Sequence, residues 1–242
     1  MDINKSCKLV LRNIYLYDIR ACHYTILERL GFNMLNIDKN NKKERNIQIG
    51  KLMRENPRLV NVLRSQTNYL VDEYLLRNKV SSDELILRQY DGIIVTRTLT
   101  ETITDFIPLE LRSIFEVFII SFDRSKYLAF DGTESLIKGV PYRYERIDQI
   151  YNEITKINFN IPSRIFKRLQ EIKDKILFSK DPEMFCIPIE GSDKYTVVLK
   201  ELGNIEITKQ TTKMMELNDV DKQWYFDFYI KPFTKSIVVE FV

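Results

Sequence analysis

The chain has little of what builds several familiar sites. Among 242 residues there is one histidine, His23, and there are three cysteines, Cys7, Cys22 and Cys186. They form no close pair such as C-x-x-C, so a zinc site of Cys and His is not expected. A Ser-His-Asp triad would have to use His23, and no G-x-S-x-G accompanies it. Seven glycines and seven prolines leave little room for linkers. No window holds 18 consecutive apolar residues, so no membrane span is expected. The first residues, Met-Asp-Ile-Asn-Lys-Ser, lack the apolar core of a signal peptide. These absences point to an intracellular, cytoplasmic protein. They also leave carboxylates as the donors for any metal, which favours Mg²⁺ or Mn²⁺.

What is present is ordinary for a folded chain: 44% hydrophobic and 29% charged residues, enough for one large domain or two small ones. The net charge of +3 is too small to mark nucleic-acid binding, but its distribution is uneven. Residues 161–180 carry Arg164, Lys167, Arg168, Lys173, Lys175 and Lys180 against Glu171 and Asp174, a local balance of +4. Such a run reads either as a solvated helix face or as a phosphate-contacting surface.

Patterning predicts an α+β fold: an antiparallel sheet with helices on one face, then a helical segment and a small β-rich C-terminal part. Residues 13–18 read as a strand ending on Asp18, with a helix from about Ala21. Residues 36–46 read as a loop, and 46–55 and 58–77 as helices around Asn56-Pro57. A hairpin over 84–98 follows, then a short helix or loop over 98–111. Strands are expected at 113–121, 126–130 and 135–140, and helices at 146–156 and 162–179. From 184 onward strands are expected in MFCIPI, KYTVVL, QWYFDFYI and SIVVEFV. The expected division is a domain over 1–142, with a helical insertion about 36–80, and a second part over 143–242.

Two acids are candidates for chemistry. Asp18 stands at a strand end before a helix, where ligands often bind, but Asp is also a favoured helix N-cap. Asp91 lies in "RQYDGIIV", where Asp-Gly between apolar runs is a strong hairpin-turn signal. Taken together, an acid on one strand and an acid in a hairpin can set two carboxylates side by side. Such a pair is tolerated when a divalent cation lies between them.

The segment "YLYDIRACHYTIL" resembles motif A of the family B DNA polymerases, and "RQYDGIIV" resembles their motif C. In that resemblance Asp18 and Asp91 are the catalytic acids of a nucleotidyl transfer that uses two divalent ions, Mg²⁺ or Mn²⁺, to activate a hydroxyl and stabilise the leaving pyrophosphate. Gly92 takes the motif's Ser position, and Gln89 replaces the motif's first acid. His23 takes the place of the aromatic residue beneath the nucleotide sugar. "RSKYLAFDG" looks like the Lys-Lys-x-Tyr segment that contacts primer-template DNA, through Lys126 and Tyr127. "LIKGVPYRYERID" looks like the Lys-Gly segment and basic stretch leading into the thumb, through Lys138, Gly139 and Arg143 or Arg146. The likeness covers roughly residues 10–180 and implies a palm-like domain over 1–142 and a thumb-like segment beyond it. Its implied substrates are deoxynucleotides, with Arg45 and Lys51 as triphosphate-contact candidates beside Arg54 and Arg58.

The departures are as informative. No convincing Lys-x-x-x-Asn-Ser-x-Tyr-Gly motif B lies between the acids. The 17 residues before Asp18 leave no room for an exonuclease domain, and the segment after 184 has no counterpart. The resemblance therefore implies one part of a larger or split polymerase, viral in origin, with another subunit as partner. Two rival readings are a non-catalytic nucleic-acid-binding scaffold with a degraded palm fold, and an unrelated viral interaction protein.

Overall fold

A computed structural model describes residues 2–32, 37–104, 107–140, 145–189 and 191–241. The first part of the chain runs β1 (Asp2–Ile3), β2 (Val10–Leu11), β3 (Ile14–Ile19), α1 (Cys22–Arg29), α2 (Lys42–Glu55), α3 (Pro57–Arg77), β4 (Leu85–Arg88), β5 (Gly92–Val95), β6 (Ile103–Thr104) and β7 (Ile107–Phe115). There follow β8 (Val117–Ile120), β9 (Tyr127–Phe130), β10 (Ser135–Lys138), α4 (Glu145–Thr155), α5 (Pro162–Leu177), β11 (Cys186–Pro188), β12 (Lys194–Leu199), β13 (Gly203–Thr208), α6 (Lys209–Thr212), α7 (Asp219–Tyr225) and α8 (Lys231–Phe241). The fold is α+β with antiparallel sheets. No described helix is long and apolar enough to cross a membrane.

Two compact units form, one from residues 1–7 and 13–114, the other from 8–12 and 115–242. The expected division at 142 falls inside the second unit. The first unit is built on a six-stranded sheet of order β1-β4-β5-β3-β7-β6. Tyr17 and Ile19, Ile93 and Val95, and Ile107 and Leu109 are each two residues apart, so each pair lies on one face of its strand. They share a core with Leu27 of α1, Ile49 of α2 and Leu59, Leu63, Leu70 and Tyr74 of α3. The Tyr74 hydroxyl donates to the Ile107 carbonyl, which ties α3 to β7 while keeping the buried phenol partnered.

The second unit contains a four-stranded sheet, β10-β9-β8-β2, and a three-stranded one, β11-β12-β13. The stripe Ile165, Leu169, Ile172 and Ile176 buries one face of α5, the i, i+4, i+7, i+11 pattern of an amphipathic helix. Ile172→Val removes one methylene from this packed stripe. It is expected to cost about 1 kcal/mol, lowering the urea midpoint with an unchanged m-value.

Three expectations are corrected. QWYFDFYI and SIVVEFV form α7, a π-helical turn over Phe226–Ile230, and α8 rather than strands. Their aromatic and branched residues favour strands locally. However, Tyr225, Tyr229, Phe233 and Ile237 recur at spacing four and are all buried, so core packing selects the helix. Residues 98–111, expected as a helix or loop, contribute β6 and most of β7. Helix α2 begins at Lys42 because Asn41 caps it, accepting from the Glu44 amide at 3.1 Å.

Candidate active site

Asp18 sits within β3, and β3 pairs antiparallel with β5 in the register Asp18↔Gly92. Asp18 does not cap α1: the N-cap is Ala21, in the left-handed region at φ 48°, with no side-chain cap. The first turn of α1 therefore starts without a side-chain acceptor, the arrangement that makes a helix N-terminus receptive to anions. A left-handed alanine stores strain that glycine does not. Ala21→Gly is expected to stabilise the chain by about 0.5 kcal/mol, read as a small rise in Tm.

The hairpin differs in detail from an Asp-Gly turn. Arg88 pairs with Ile93, and the Gln89 amide donates to the Gly92 carbonyl at 2.9 Å. Tyr90 and Asp91 thus form the tip, and neither is left-handed. Gly92 opens β5. What it supplies is close approach: a Cβ there would lie 2.6 Å from the Tyr17 carbonyl oxygen and 3.5 Å from Asp18 Oδ1. The missing side chain is what lets β5 pack against β3 at the level of the acids. The Ile19 amide donates to the Asp91 carbonyl at 2.8 Å, fastening the tip to the end of β3.

A cleft of about 220 Å³ opens over this junction, lined by Asp18, Asp91, His23, Lys42, Arg45 and Arg112 among others. Lys42, Arg45, Asn46 and Ile49 recur at helical spacing, so one face of α2 borders it. Burial raises the Asp18 carboxyl to about 6, with the charge of Asp91 adding to the effect. Arg112, Lys42 and the Ile19 amide oppose the rise. Arg112 Nε stands 3.5 Å from Asp18 Oδ2, and its Nη1 is 3.3 Å from Glu110 Oε2. Arg20 holds the other oxygen of Glu110 at 3.3 Å.

His23 meets the edge of Tyr90 with ring centroids 5.4 Å apart, linking α1 to the hairpin tip. Burial lowers its pKa, against the pull of the Asp91 charge. Its Nε2 is buried with no hydrogen-bond partner among the described residues. Beneath it, Cys22 contacts the Thr67 hydroxyl at 3.4 Å, and burial pushes its thiol up to about 12, so it is an inert core residue.

The structure thus brings together Asp18, Asp91, His23 and Arg45. Lys51 is separate: it is exposed, two residues beyond Ile49 and so about 200° round α2 from the cleft face. In the second unit, Lys138 pairs across the sheet with Tyr127, and a Cβ on Gly139 would come within 2.5 Å of the Ser125 carbonyl. The two segments with polymerase-like patterns are therefore adjacent. Lys138 is exposed, and Lys126 sits 3.5 Å from Asp123 and 5.7 Å above the Phe228 ring. Hydrogen bonds from Ser121 and Ser125 hold the Asp123 carboxyl well below its usual range, despite partial burial that raises it. Tyr127 is a correction: it is fully buried and stacked on Phe118 at 4.8 Å, a core residue with no surface to offer DNA. Arg143 lies outside the described residues, and Arg146 falls in α4.

Sequence reasoning misses Lys42 and Arg112. Lys42 falls in the stretch that reads as a loop, ahead of the expected start of α2. Arg112 is hidden because β7 is not expected there, although Glu110 and Arg112 show the period-two spacing of a strand face.

Among the described residues no group of three or more His, Cys, Asp or Glu side chains converges; the carboxylates that line the cleft are Asp18 and Asp91.

The fold is a polymerase-like α+β architecture. Among solved structures, the chain is similar to the family B DNA polymerase from the hyperthermophilic archaeon Pyrobaculum calidifontis, with a TM-score of 0.50 and 10% sequence identity. That likeness covers 95% of this chain and 45% of the polymerase chain, so this chain spans less than half of its length. No family model and no curated protein matches the sequence.

Proposed function

We propose that this chain is the palm and thumb portion of a DNA polymerase, extending a primer with deoxynucleotides and working as one part of a larger polymerase. The observation that carries the proposal is the register of β3 and β5, which sets Asp18 beside Gly92 and places Asp91 at the same cleft as Lys42, Arg45 and Arg112. In the reaction the primer 3′ oxygen bonds to the α-phosphorus, the bond to the bridging oxygen breaks, and pyrophosphate leaves. Mg²⁺ or Mn²⁺, when bound, would supply charge that activates the hydroxyl and stabilises the leaving group. Asp18 and Asp91 would hold it, while Arg45 and Lys42 meet the phosphates together with the uncapped start of α1. His23, neutral at pH 7, lies under the sugar. Lys126, Lys138 and Arg146 are assigned to the primer-template backbone.

Primer extension with Mg²⁺ or Mn²⁺, alone and with the products of neighbouring genes, tests the proposal. Extension that survives both Asp18→Ala and Asp91→Ala would overturn it. A second reading, a nucleic-acid-binding scaffold with a degraded palm, is favoured by Gln89 at the position of the polymerase motif's first acid. It requires salt-dependent DNA binding that Asp18→Ala does not weaken, with no extension under any condition.

A further inference from the structure

Among the described residues Arg112 is the cleft cation seen in contact with one of the cleft's acids, and its contacts are loose. A charge-assisted N–H to carboxylate bond is normally about 2.7–2.9 Å, whereas Arg112 meets Asp18 at 3.5 Å and Glu110 at 3.3 Å. Its side chain is 43% exposed, so the head is free to move without disturbing the core. The charge balance of the cleft points the same way. Asp18 and Asp91 face Lys42, Arg45 and Arg112, and His23 is neutral, so the lining is already one charge positive. A divalent ion on the two carboxylates makes it three positive, an excess matched by a polyphosphate and not by further carboxylates.

We propose that Arg112 exchanges partners during substrate binding: it neutralises Asp18 in the metal-free protein and turns to a phosphate of the nucleoside triphosphate once a divalent ion takes the carboxylate. Glu110, itself held by Arg20, keeps the guanidinium within reach of both. The inference rests on the nucleotide-binding reading of this cleft and adds to it a phosphate-binding residue and a coupling between metal and nucleotide. Because Arg112 competes with the ion for Asp18, each ligand promotes the other, and the coupling is reciprocal.

The exchange has a signature that a structural role does not share. Mn²⁺ binding is measured by electron paramagnetic resonance and deoxynucleoside triphosphate binding by calorimetry, on the full chain, for wild type, Arg112→Gln and Arg112→Lys. Arg112→Gln is expected to bind Mn²⁺ alone about three- to tenfold more tightly, since Asp18 has lost its competitor. The same variant is expected to bind triphosphate in the presence of Mn²⁺ about tenfold more weakly, having lost a charge-assisted contact. Arg112→Lys, which keeps the charge but not the fork, should fall between. A variant that weakens both ligands together, or leaves both unchanged, overturns the exchange while leaving the cleft assignment standing. Wild-type protein that binds neither Mn²⁺ nor triphosphate overturns both.

Discussion

Asp18→Asn is expected to destroy function and improve stability at once. If Asp18 and Asp91 hold the metal as proposed, losing one of them should reduce primer extension by on the order of 10³-fold, the several kcal/mol that metal ions contribute to such a transition state. The stability effect has the opposite sign. In the folded chain Asp18 titrates near 6, against 3.8 for an ordinary aspartate. Between those values the folded state binds more protons than the unfolded one, so stability falls as pH rises from about 4 to about 6. The side chain is 35% exposed, and with that screening the penalty above pH 6 is about 1 kcal/mol. In chelator-treated protein at pH 7.5, Asp18→Asn should therefore raise Tm by about 2–4 °C. It should also flatten the decline in Tm between pH 4 and 6. A Tm that drops instead would mean that the Arg112 contact outweighs the cost of burying the Asp18 charge.

Gly92→Ala tests the same junction through shape. A Cβ 2.6 Å from the Tyr17 carbonyl oxygen meets backbone, not the yielding end of a side chain. Strands β3 and β5 must part by several tenths of an ångström. Overpacking at this level costs about 2–3 kcal/mol, or roughly 5–10 °C in Tm for a chain of this size. Because the displaced strands carry Asp18 and adjoin Asp91, Mn²⁺ binding should weaken in parallel. Asp91→Asn, by contrast, should remove metal binding without the loss of stability. Differential scanning fluorimetry together with Mn²⁺ titration separates these outcomes.

Much of this site is legible in the sequence because its parts are local. A short aromatic and branched run marks β3, and the flanking apolar runs mark β4 and β5; taken alone, Asp18 reads as a cap and Asp91 as a turn residue, and it is the resemblance to the polymerase motifs that links the two acids. The turn lies one residue away from where Asp-Gly suggests, and its tip residues are not left-handed. The glycine is instead required by contact with a strand 75 residues earlier, where Gly92 meets Tyr17. No local pattern carries that information. Arg112 is hidden for the same reason: its role depends on β7 lying next to β3 in the sheet order. The C-terminal helices show tertiary burial overriding local preference. Tyr225, Tyr229, Phe233 and Ile237 would suit a strand one residue at a time, and only their shared spacing reveals the helix.

The central claim is that Asp18 and Asp91 share a divalent ion. Crystals of the chain soaked in Mn²⁺ with a deoxynucleoside triphosphate, with data collected at the manganese absorption edge, test it directly. The expected result is an anomalous peak within about 2.0–2.6 Å of an oxygen from each of the two carboxylates, absent from Asp91→Asn crystals treated alike. Manganese bound elsewhere on the chain, with no peak bridging Asp18 and Asp91, would contradict it.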